Sequence, residues 1–179
     1  MVSPDIFLIG AAKAGTTTIS DWMAMNPKIA LARIKESNYF SKEIDPNNFS
    51  KAFSSISPPI LSKYWEGDKL EFRHQGFIKD SQSYARIFEH SLEGQKLADC
   101  STSYFWSKKA PDLIKKSSPK AKVLLILRNP VDRAWSHYRM ARKYGLTQDG
   151  FLQELEKDFL SESVLSLIHI SEPTRPSLI

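Results

Sequence analysis

Short apolar runs alternate along this chain with segments whose apolar residues recur at the spacing of a helix. Residues 5–9 predict a buried strand, and residues 16–25 predict the helix that follows, ended by Asn26 and Pro27. The strongest strand signal is the run AKVLLIL at 121–127. A continuous apolar run of this kind is typical of a parallel strand, so we expect both of its faces to be covered.

Weaker signals complete the pattern. Residues 29–31 predict a short second strand, whereas residues 41–81, rich in Ser, Asn and Pro, predict irregular structure with short helical turns. Further helices are predicted at 82–90, from Ser101 or Ser103 as N-caps to about residue 116, from Pro130 to about residue 144, and after Asp149. Strands that alternate with helices predict one α/β domain with a parallel sheet.

Composition narrows the class of protein. The 179 residues are 41% hydrophobic, enough for one packed domain, and Lys plus Arg outnumber Asp plus Glu by 25 to 20. This surplus suits an anionic ligand but is too small by itself to indicate nucleic acid. The single cysteine, Cys100, rules out an intramolecular disulfide and fits a reducing compartment. With no leader and no apolar run near the roughly 20 residues of a spanning helix, we expect a soluble, cytoplasmic chain.

A glycine-rich loop, GAAKAGTT, follows the first predicted strand. Gly10 and Gly15 keep the spacing of an ATP- or GTP-binding phosphate loop, but Thr16 occupies the position of its lysine. The loop has its own lysine upstream, Lys13. A strand, a glycine-rich loop and a helix together aim backbone N–H groups at an anion. On its own, the loop also fits an ordinary strand-to-helix turn.

A second candidate phosphate site lies at 127–138 (LRNPVDRAWSHY). Arg128 follows the strongest strand at its carboxyl end, where open α/β sheets bind ligands, and Ser136 lies about two helical turns further on. An arginine fork with a hydroxyl suits a phosphate. Alone, Arg128 also fits a salt bridge at a strand end, and Ser136 an ordinary helix position. Together with the glycine-rich loop, they indicate a ligand with two separated anionic groups.

These segments resemble the sulfotransferases that use 3′-phosphoadenosine 5′-phosphosulfate (PAPS), in particular heparan-sulfate-type enzymes and related bacterial members. KESNYF at 35–40 resembles the family's K-E-x-x-[FY]-F, and ADCSTSYF at 98–105 resembles its E-K-[ST]-P-x-Y. In the second stretch, Asp99, Cys100 and Thr102 depart from the family's usual Glu, Lys and Pro. The resemblance runs from about residue 4 to 160. It implies a P-loop-like three-layer fold with a central parallel sheet flanked by helices, incomplete at the C-terminus.

The resemblance also implies a role for each motif residue. Lys13 and Glu36 are implied as catalytic, the lysine beside the bridging oxygen of the leaving phosphate and the glutamate as the base for the acceptor's proton. The implied PAPS-binding residues are Lys13, Ala14, Gly15, Thr16 and Thr17 at the 5′-phosphosulfate, with Arg128 and Ser136 at the 3′-phosphate. Lys35 fits either a contact with an anionic acceptor or a solvated charge. No metal is implied, and the leading acceptor is a carbohydrate hydroxyl, followed by a lipid or small-molecule alcohol.

Two other classes remain open. A P-loop NTPase or small-molecule kinase requires a glycine–lysine pair and an acidic magnesium ligand, where this chain has Thr16 and Arg128. The second class is a non-catalytic nucleotide-binding module. This class is favoured if the chain cannot close its active site. Binding of adenosine 3′,5′-bisphosphate, compared with ATP and magnesium, discriminates among the classes.

The last residues resemble a translated sequencing adapter. The stretch LSLIHISEPTRP at 165–176 matches the conceptual translation of a transposon-type adapter nearly letter for letter. An ordinary polar tail is the alternative. We therefore expect a partial sulfotransferase domain at 1–164, a non-native tail at 165–179, and a chain that is poorly soluble or inactive as written.

Overall fold

The computed structural model describes residues 2–49, 51–56, 60 and 62–160. Its strands are β1 (Ile6–Gly10), β2 (Ile29–Leu31), β3 (Ile34–Glu36), β4 (Arg73–Gln75), β5 (Lys96–Cys100) and β6 (Lys122–Leu125). Its α-helices are α1 (Thr16–Ala24), α2 (Lys51–Ile56), α3 (Ser81–Arg86), α4 (Ala110–Ser117), α5 (Pro130–Lys143) and α6 (Phe151–Leu160). Short 3-10 turns cover Pro46–Asn48, Ser62–Trp65 and Thr102–Phe105. The chain forms two compact units, Met1–Leu127 and Arg128–Ile179.

Two parallel sheets lie in the first unit. The larger has the strand order β2-β5-β1-β6, and the smaller pairs β3 with β4. Parallel strands require crossover connections, and α1 lies in the connection from β1 to β2, which are on either side of β5. The predicted α/β class, with a central parallel sheet flanked by helices, is therefore confirmed.

The two faces of the larger sheet have different coverings. Phe7 of β1 belongs to a buried cluster that includes Tyr84 of α3 and Ile114 of α4. Full burial of a side chain such as Phe7, at 0% exposure, contributes about 1.5–3 kcal/mol. Successive strand residues point to opposite faces, and on the other face Cys100 of β5 and Ser20 of α1 line a common cavity.

β6 is an edge strand of the larger sheet, and the prediction that both of its faces are buried is wrong. All four of its residues are exposed, with Val123 at 54% and Leu124 at 41%. Among the strands that the structure describes, β6 pairs with β1 alone. The apolar run predicts a strand correctly because that preference is local, whereas burial depends on which elements lie beside the strand.

The single long helix predicted from Ser101 or Ser103 is divided in two. Thr102–Phe105 forms a 3-10 turn, and α4 begins only at Ala110. The hydroxyl of Ser107 accepts a hydrogen bond from the N–H of Ala110 at 2.9 Å. Ser107, rather than either predicted serine, therefore supports the start of the helix. The irregular segment 41–81 contains the predicted short turns, but it also contains β4, which the sequence did not predict.

The second unit is built on α5 and α6, close to the bounds predicted for them. Asn129 caps α5, because its side-chain oxygen accepts from the N–H of Val131 at 3.0 Å, and Pro130 occupies the first turn. The rings of Trp135 and Phe151 lie 5.0 Å apart between centroids. Aromatic packing therefore joins the two helices.

None of the helices in the described part of the chain is long and apolar enough to cross a membrane. The expected cytoplasmic location and the expected domain limits stay predictions. The tail predicted at 165–179 lies outside the described residues.

Candidate active site

The glycine-rich loop connects β1 to α1, as the sequence predicts. At Gly10, φ is 150°, a backbone conformation that residues with a side chain rarely adopt. A Cβ added there would also lie only 2.9 Å from the Cβ of Phe105, so there is no room for a larger residue. Gly15, with φ of 98°, is the N-cap of α1. Lys13 lies in the left-handed region with φ of 65°. This conformation is uncommon for a residue with a side chain and occurs preferentially at functional sites.

The start of α1 is suited to an anion. Its first N–H groups, beginning at Thr16, have no acceptor inside the helix, and the helix dipole favours negative charge at this end. The N-cap Gly15 has no side chain that could bond to these N–H groups, and Thr17 is exposed. The N–H of Ala14 donates to the carbonyl of Ala11 at 3.1 Å, so in this structure it supports the loop itself. The predicted phosphate contacts of these residues stay predictions.

Glu36 ends β3 as a buried carboxylate with three hydrogen bonds. Its Oε2 accepts from the backbone N–H of Thr102 at 2.7 Å and from the Thr102 hydroxyl at 3.1 Å. Its Oε1 accepts from Nζ of Lys35 at 3.3 Å. The Lys35 side chain is only 5% exposed, so the interpretation of Lys35 as a solvated charge is wrong.

A second buried carboxylate, Asp99 of β5, accepts hydrogen bonds from four hydroxyls. The donors are Tyr84 at 2.7 Å, Tyr104 at 2.8 Å, Ser101 at 2.8 Å and Ser37 at 3.0 Å. Burial raises the pKa of Asp99 to about 6, against the lowering effect of these donors. Burial and the Asp99 charge also raise the pKa of both tyrosines, so both remain protonated donors.

The Asp99 cluster connects the segments that follow β3 and β5. The hydroxyl of Ser101 donates to Asp99 and accepts from the N–H of Asn38 at 3.2 Å. Since Thr102 follows Ser101 directly, the cluster also fixes Thr102 against Glu36. The sequence analysis missed this role of Asp99 and Thr102. A carboxylate followed by hydroxyl residues was visible, but its partner Ser37 lies 62 residues away in the chain.

His74 of β4 lies next to the strand that ends in the predicted base. In the β3–β4 pairing, Ile34 lies opposite Arg73 and Glu36 opposite Gln75, so His74 lies beside Lys35. Partial burial lowers the pKa of His74, the charges of Lys35 and Lys13 lower it further, and the charge of Glu36 raises it. His74 escapes prediction because residues 73–75 have no strand pattern in the sequence.

The predicted 3′-phosphate residues lie in the second unit. Arg128 is exposed and immediately precedes Asn129, the N-cap of α5. Ser136 is half-buried on α5, about 9 Å along the helix axis from Pro130 at a rise of about 1.5 Å per residue. Their contact with a phosphate stays a prediction.

Comparison with known proteins identifies a family. Residues 4–168 match the Sulfotransferase family. The chain is 23% identical to Carbohydrate sulfotransferase 15 of Rattus norvegicus, over 85% of this chain and 30% of that protein. It is 30% identical to Bifunctional heparan sulfate N-deacetylase/N-sulfotransferase 1 of Homo sapiens, over 79% of this chain and 13% of that protein. The chain thus spans at most 30% of the length of these relatives.

The fold is similar to a solved bacterial structure, the sulfotransferase from Alicyclobacillus acidocaldarius. The TM-score is 0.75 at 23% sequence identity, and the match covers 95% of this chain and 64% of that one. At this level of identity the likeness supports the fold, and the chemistry has to be argued from the residues.

Proposed function

Because this chain belongs to the Sulfotransferase family, we propose that it moves a sulfuryl group from PAPS to the hydroxyl of a carbohydrate acceptor. The observation that carries this proposal is that Thr102, which holds the Glu36 carboxylate, also lies against the start of the glycine-rich loop that carries Lys13: a Cβ added at Gly10 would lie 3.5 Å from the Thr102 carbonyl oxygen. Sulfuryl transfer requires a cation at the leaving group and a base at the attacking hydroxyl. Lys13 and Glu36 are residues of those two types.

The donor side of the proposal rests on the loop and α1. Lys13 stabilises the negative charge that grows on the bridging oxygen as the bond from sulfur to that oxygen breaks. The N-terminus of α1 and the hydroxyls of Thr16 and Thr17 bind the 5′-phosphate. Arg128 and Ser136 bind the 3′-phosphate, the first through a charge-assisted fork and the second through its hydroxyl.

The acceptor side rests on Glu36. As the acceptor oxygen forms its bond to sulfur, Glu36 takes the proton that this oxygen loses. A carboxylate has about four lone-pair sites, and Thr102 and Lys35 use three of them. One site is therefore left for the acceptor hydroxyl, while the other bonds hold the carboxylate in one orientation.

A carbohydrate acceptor is supported by the names of the relatives. Carbohydrate sulfotransferase 15 and Heparan sulfate glucosamine 3-O-sulfotransferase 6 both have carbohydrate substrates in their names, the second being 38% identical over 40% of this chain. Lipid alcohols and small-molecule alcohols are the competing classes of acceptor.

Radiolabelled PAPS tests the proposal. The full-length enzyme that carries these residues is incubated with the labelled donor and, in turn, with N-desulfated heparin, chondroitin and a neutral glucan. We expect label in at least one carbohydrate, with the signal lost in Lys13→Ala. Label that stays in PAPS or is released as inorganic sulfate with every acceptor, while the nucleotide binds, would show that the enzyme is not a carbohydrate sulfotransferase.

A further inference from the structure

The 3-10 turn that begins at Thr102 lies between the candidate base and the glycine-rich loop. On one side, Thr102 donates twice to Oε2 of Glu36, from its backbone N–H at 2.7 Å and from its hydroxyl at 3.1 Å. On the other side, a Cβ added at Gly10 would lie 3.5 Å from the Thr102 carbonyl oxygen and 2.9 Å from the Cβ of Phe105. Thr102 therefore holds the base with one side and lies against the loop with the other.

The turn is also fixed by contacts that do not involve the Thr102 side chain. Ser101 and Tyr104 each donate to the Asp99 carboxylate at 2.8 Å. The hydroxyl of Ser103 is hydrogen-bonded to a serine of the segment after β3 at 2.8 Å. These three neighbours are buried, whereas Thr102 is half-buried. Since the neighbours hold the backbone, the Thr102 side chain can be changed while the turn keeps its place.

Thr102 is a position at which this chain departs from its family, whose E-K-[ST]-P-x-Y stretch usually has proline there. Proline has no N–H and no hydroxyl, so it could make neither bond to Glu36. The backbone is nevertheless suited to it. Ser101 is extended, with φ of −128° and ψ of 108°, close to the range required before proline, and position 102 begins a helical turn, where proline is tolerated. The double hydrogen bond is therefore a feature of the threonine and not of the turn.

The two bonds from Thr102 restrict the direction of the Glu36 carboxylate. Lys35 donates to the other oxygen, Oε1, at the longer distance of 3.3 Å. A general base has to lie within hydrogen-bond reach of the proton that it takes, and a misplacement of about 1 Å can lower the rate about 100-fold. The orientation given by Thr102 is therefore large enough in effect to matter for the proposed transfer.

We propose that Thr102 is a positioning residue for the transfer and sets the direction of the Glu36 carboxylate relative to the glycine-rich loop. It acts through Glu36, which takes the proton of the acceptor. This inference rests on the proposed function, because it assigns the residue that orients the base of the same reaction.

Three substitutions in the full-length enzyme separate the two hydrogen bonds. Thr102→Ser keeps both donors, Thr102→Val keeps only the N–H, and Thr102→Pro keeps neither. With labelled PAPS and the acceptor that the unmodified enzyme sulfates, kcat should be nearly unchanged in Thr102→Ser. It should fall about tenfold in Thr102→Val and about 100-fold in Thr102→Pro. The KM for PAPS and the affinity for adenosine 3′,5′-bisphosphate should stay within about twofold, because orientation and not binding is lost.

Thr147→Val is the matched control. The Thr147 hydroxyl donates to a carboxylate oxygen of Glu154 at 2.8 Å in the second unit, so this variant loses the same kind of bond elsewhere and should keep its kcat. Equal kcat in all three Thr102 variants, or a loss in Thr102→Ser as large as in Thr102→Pro, would overturn the positioning role. If Thr102→Pro does not fold, the tenfold difference between Thr102→Val and Thr102→Ser decides the question.

Hydrogen exchange of the Thr102 amide tests the contact without any transfer. The amide should exchange about tenfold faster or more in Glu36→Ala than in the unmodified enzyme, because its acceptor is gone. Unchanged exchange would overturn the inference. Failure of the proposed function gives a different result, an enzyme that binds the bisphosphate and transfers to no acceptor. Transfer that is insensitive to Thr102 overturns the positioning role alone.

Discussion

Thr102 holds the carboxylate of Glu36 with two donors at once, its backbone N–H at 2.7 Å and its hydroxyl at 3.1 Å. The two residues lie 66 positions apart in the chain, so this contact depends on the fold bringing the ends of β3 and β5 together. A carboxylate held in this way keeps one orientation toward an incoming hydroxyl. Geometry of this precision is what general-base chemistry requires.

Glu36→Gln should keep nucleotide binding and lose transfer by about 100-fold or more, because an amide cannot take the acceptor's proton. Turnover of labelled PAPS and calorimetric binding of adenosine 3′,5′-bisphosphate measure the two effects. Glu93→Gln, at an exposed position, is the matched control. Transfer at the unmodified rate by Glu36→Gln would remove the residue from the base position.

Lys13→Ala and Arg128→Ala should have different effects. In the proposed transfer by the full-length enzyme, Lys13 stabilises charge that develops during the reaction, so its loss should lower kcat much more than it weakens nucleotide binding. Arg128 is proposed to bind the 3′-phosphate, so its loss should weaken nucleotide binding by about 1.5–3 kcal/mol. Arg139→Ala, an exposed arginine of α5, is the control. An unchanged affinity in Arg128→Ala would exclude that residue from the 3′-phosphate site.

The pKa of His74 reports whether Lys13 and Glu36 share its neighbourhood. Removal of the cation in Lys13→Met should raise this pKa, and removal of the anion in Glu36→Gln should lower it. NMR titration of the imidazole resonances follows both changes, and His74→Gln identifies the signal. If neither substitution moves the His74 titration, the two residues do not converge there.

The local parts of this structure are predictable from sequence, and the contacts between distant segments are not. Gly10 and Gly15 mark the loop, and Pro130 marks the start of α5, because these residues restrict the backbone where they stand. β4 escapes prediction because Arg-His-Gln at 73–75 has no strand pattern of its own. It becomes a strand through pairing with β3. The Asp99 cluster is likewise invisible in sequence because its donors come from three separate segments.

Asp99 should make the stability of the fold depend on pH. Its folded pKa of about 6 lies above the ordinary value of 3.8, so the folded state binds the proton more tightly than the unfolded state does. Its contribution to stability is therefore fully present below about pH 4 and is lost as the pH rises through about 6. Since one pKa unit corresponds to about 1.4 kcal/mol, the free energy of unfolding should fall by an amount on the order of 3 kcal/mol.

Urea unfolding of the unmodified chain and of Asp99→Asn at pH 4.5 and pH 7 measures this contribution. The free energy of unfolding of the unmodified chain, relative to the variant, should be larger at the lower pH. Asp68→Asn, at an exposed position, should show no such difference. The same relative stability of Asp99→Asn at both pH values would contradict the raised pKa.

Calorimetry with two nucleotides tests the sulfotransferase function most directly. Adenosine 3′,5′-bisphosphate carries the two anionic groups that the loop and the Arg128–Ser136 segment are proposed to bind, whereas ATP lacks the 3′-phosphate. The bisphosphate should bind about 100-fold more tightly than ATP with magnesium, as expected for the loss of the Arg128 and Ser136 contacts. ATP with magnesium binding as tightly as the bisphosphate, or more tightly, would contradict a PAPS-dependent sulfotransferase and favour a kinase or NTPase.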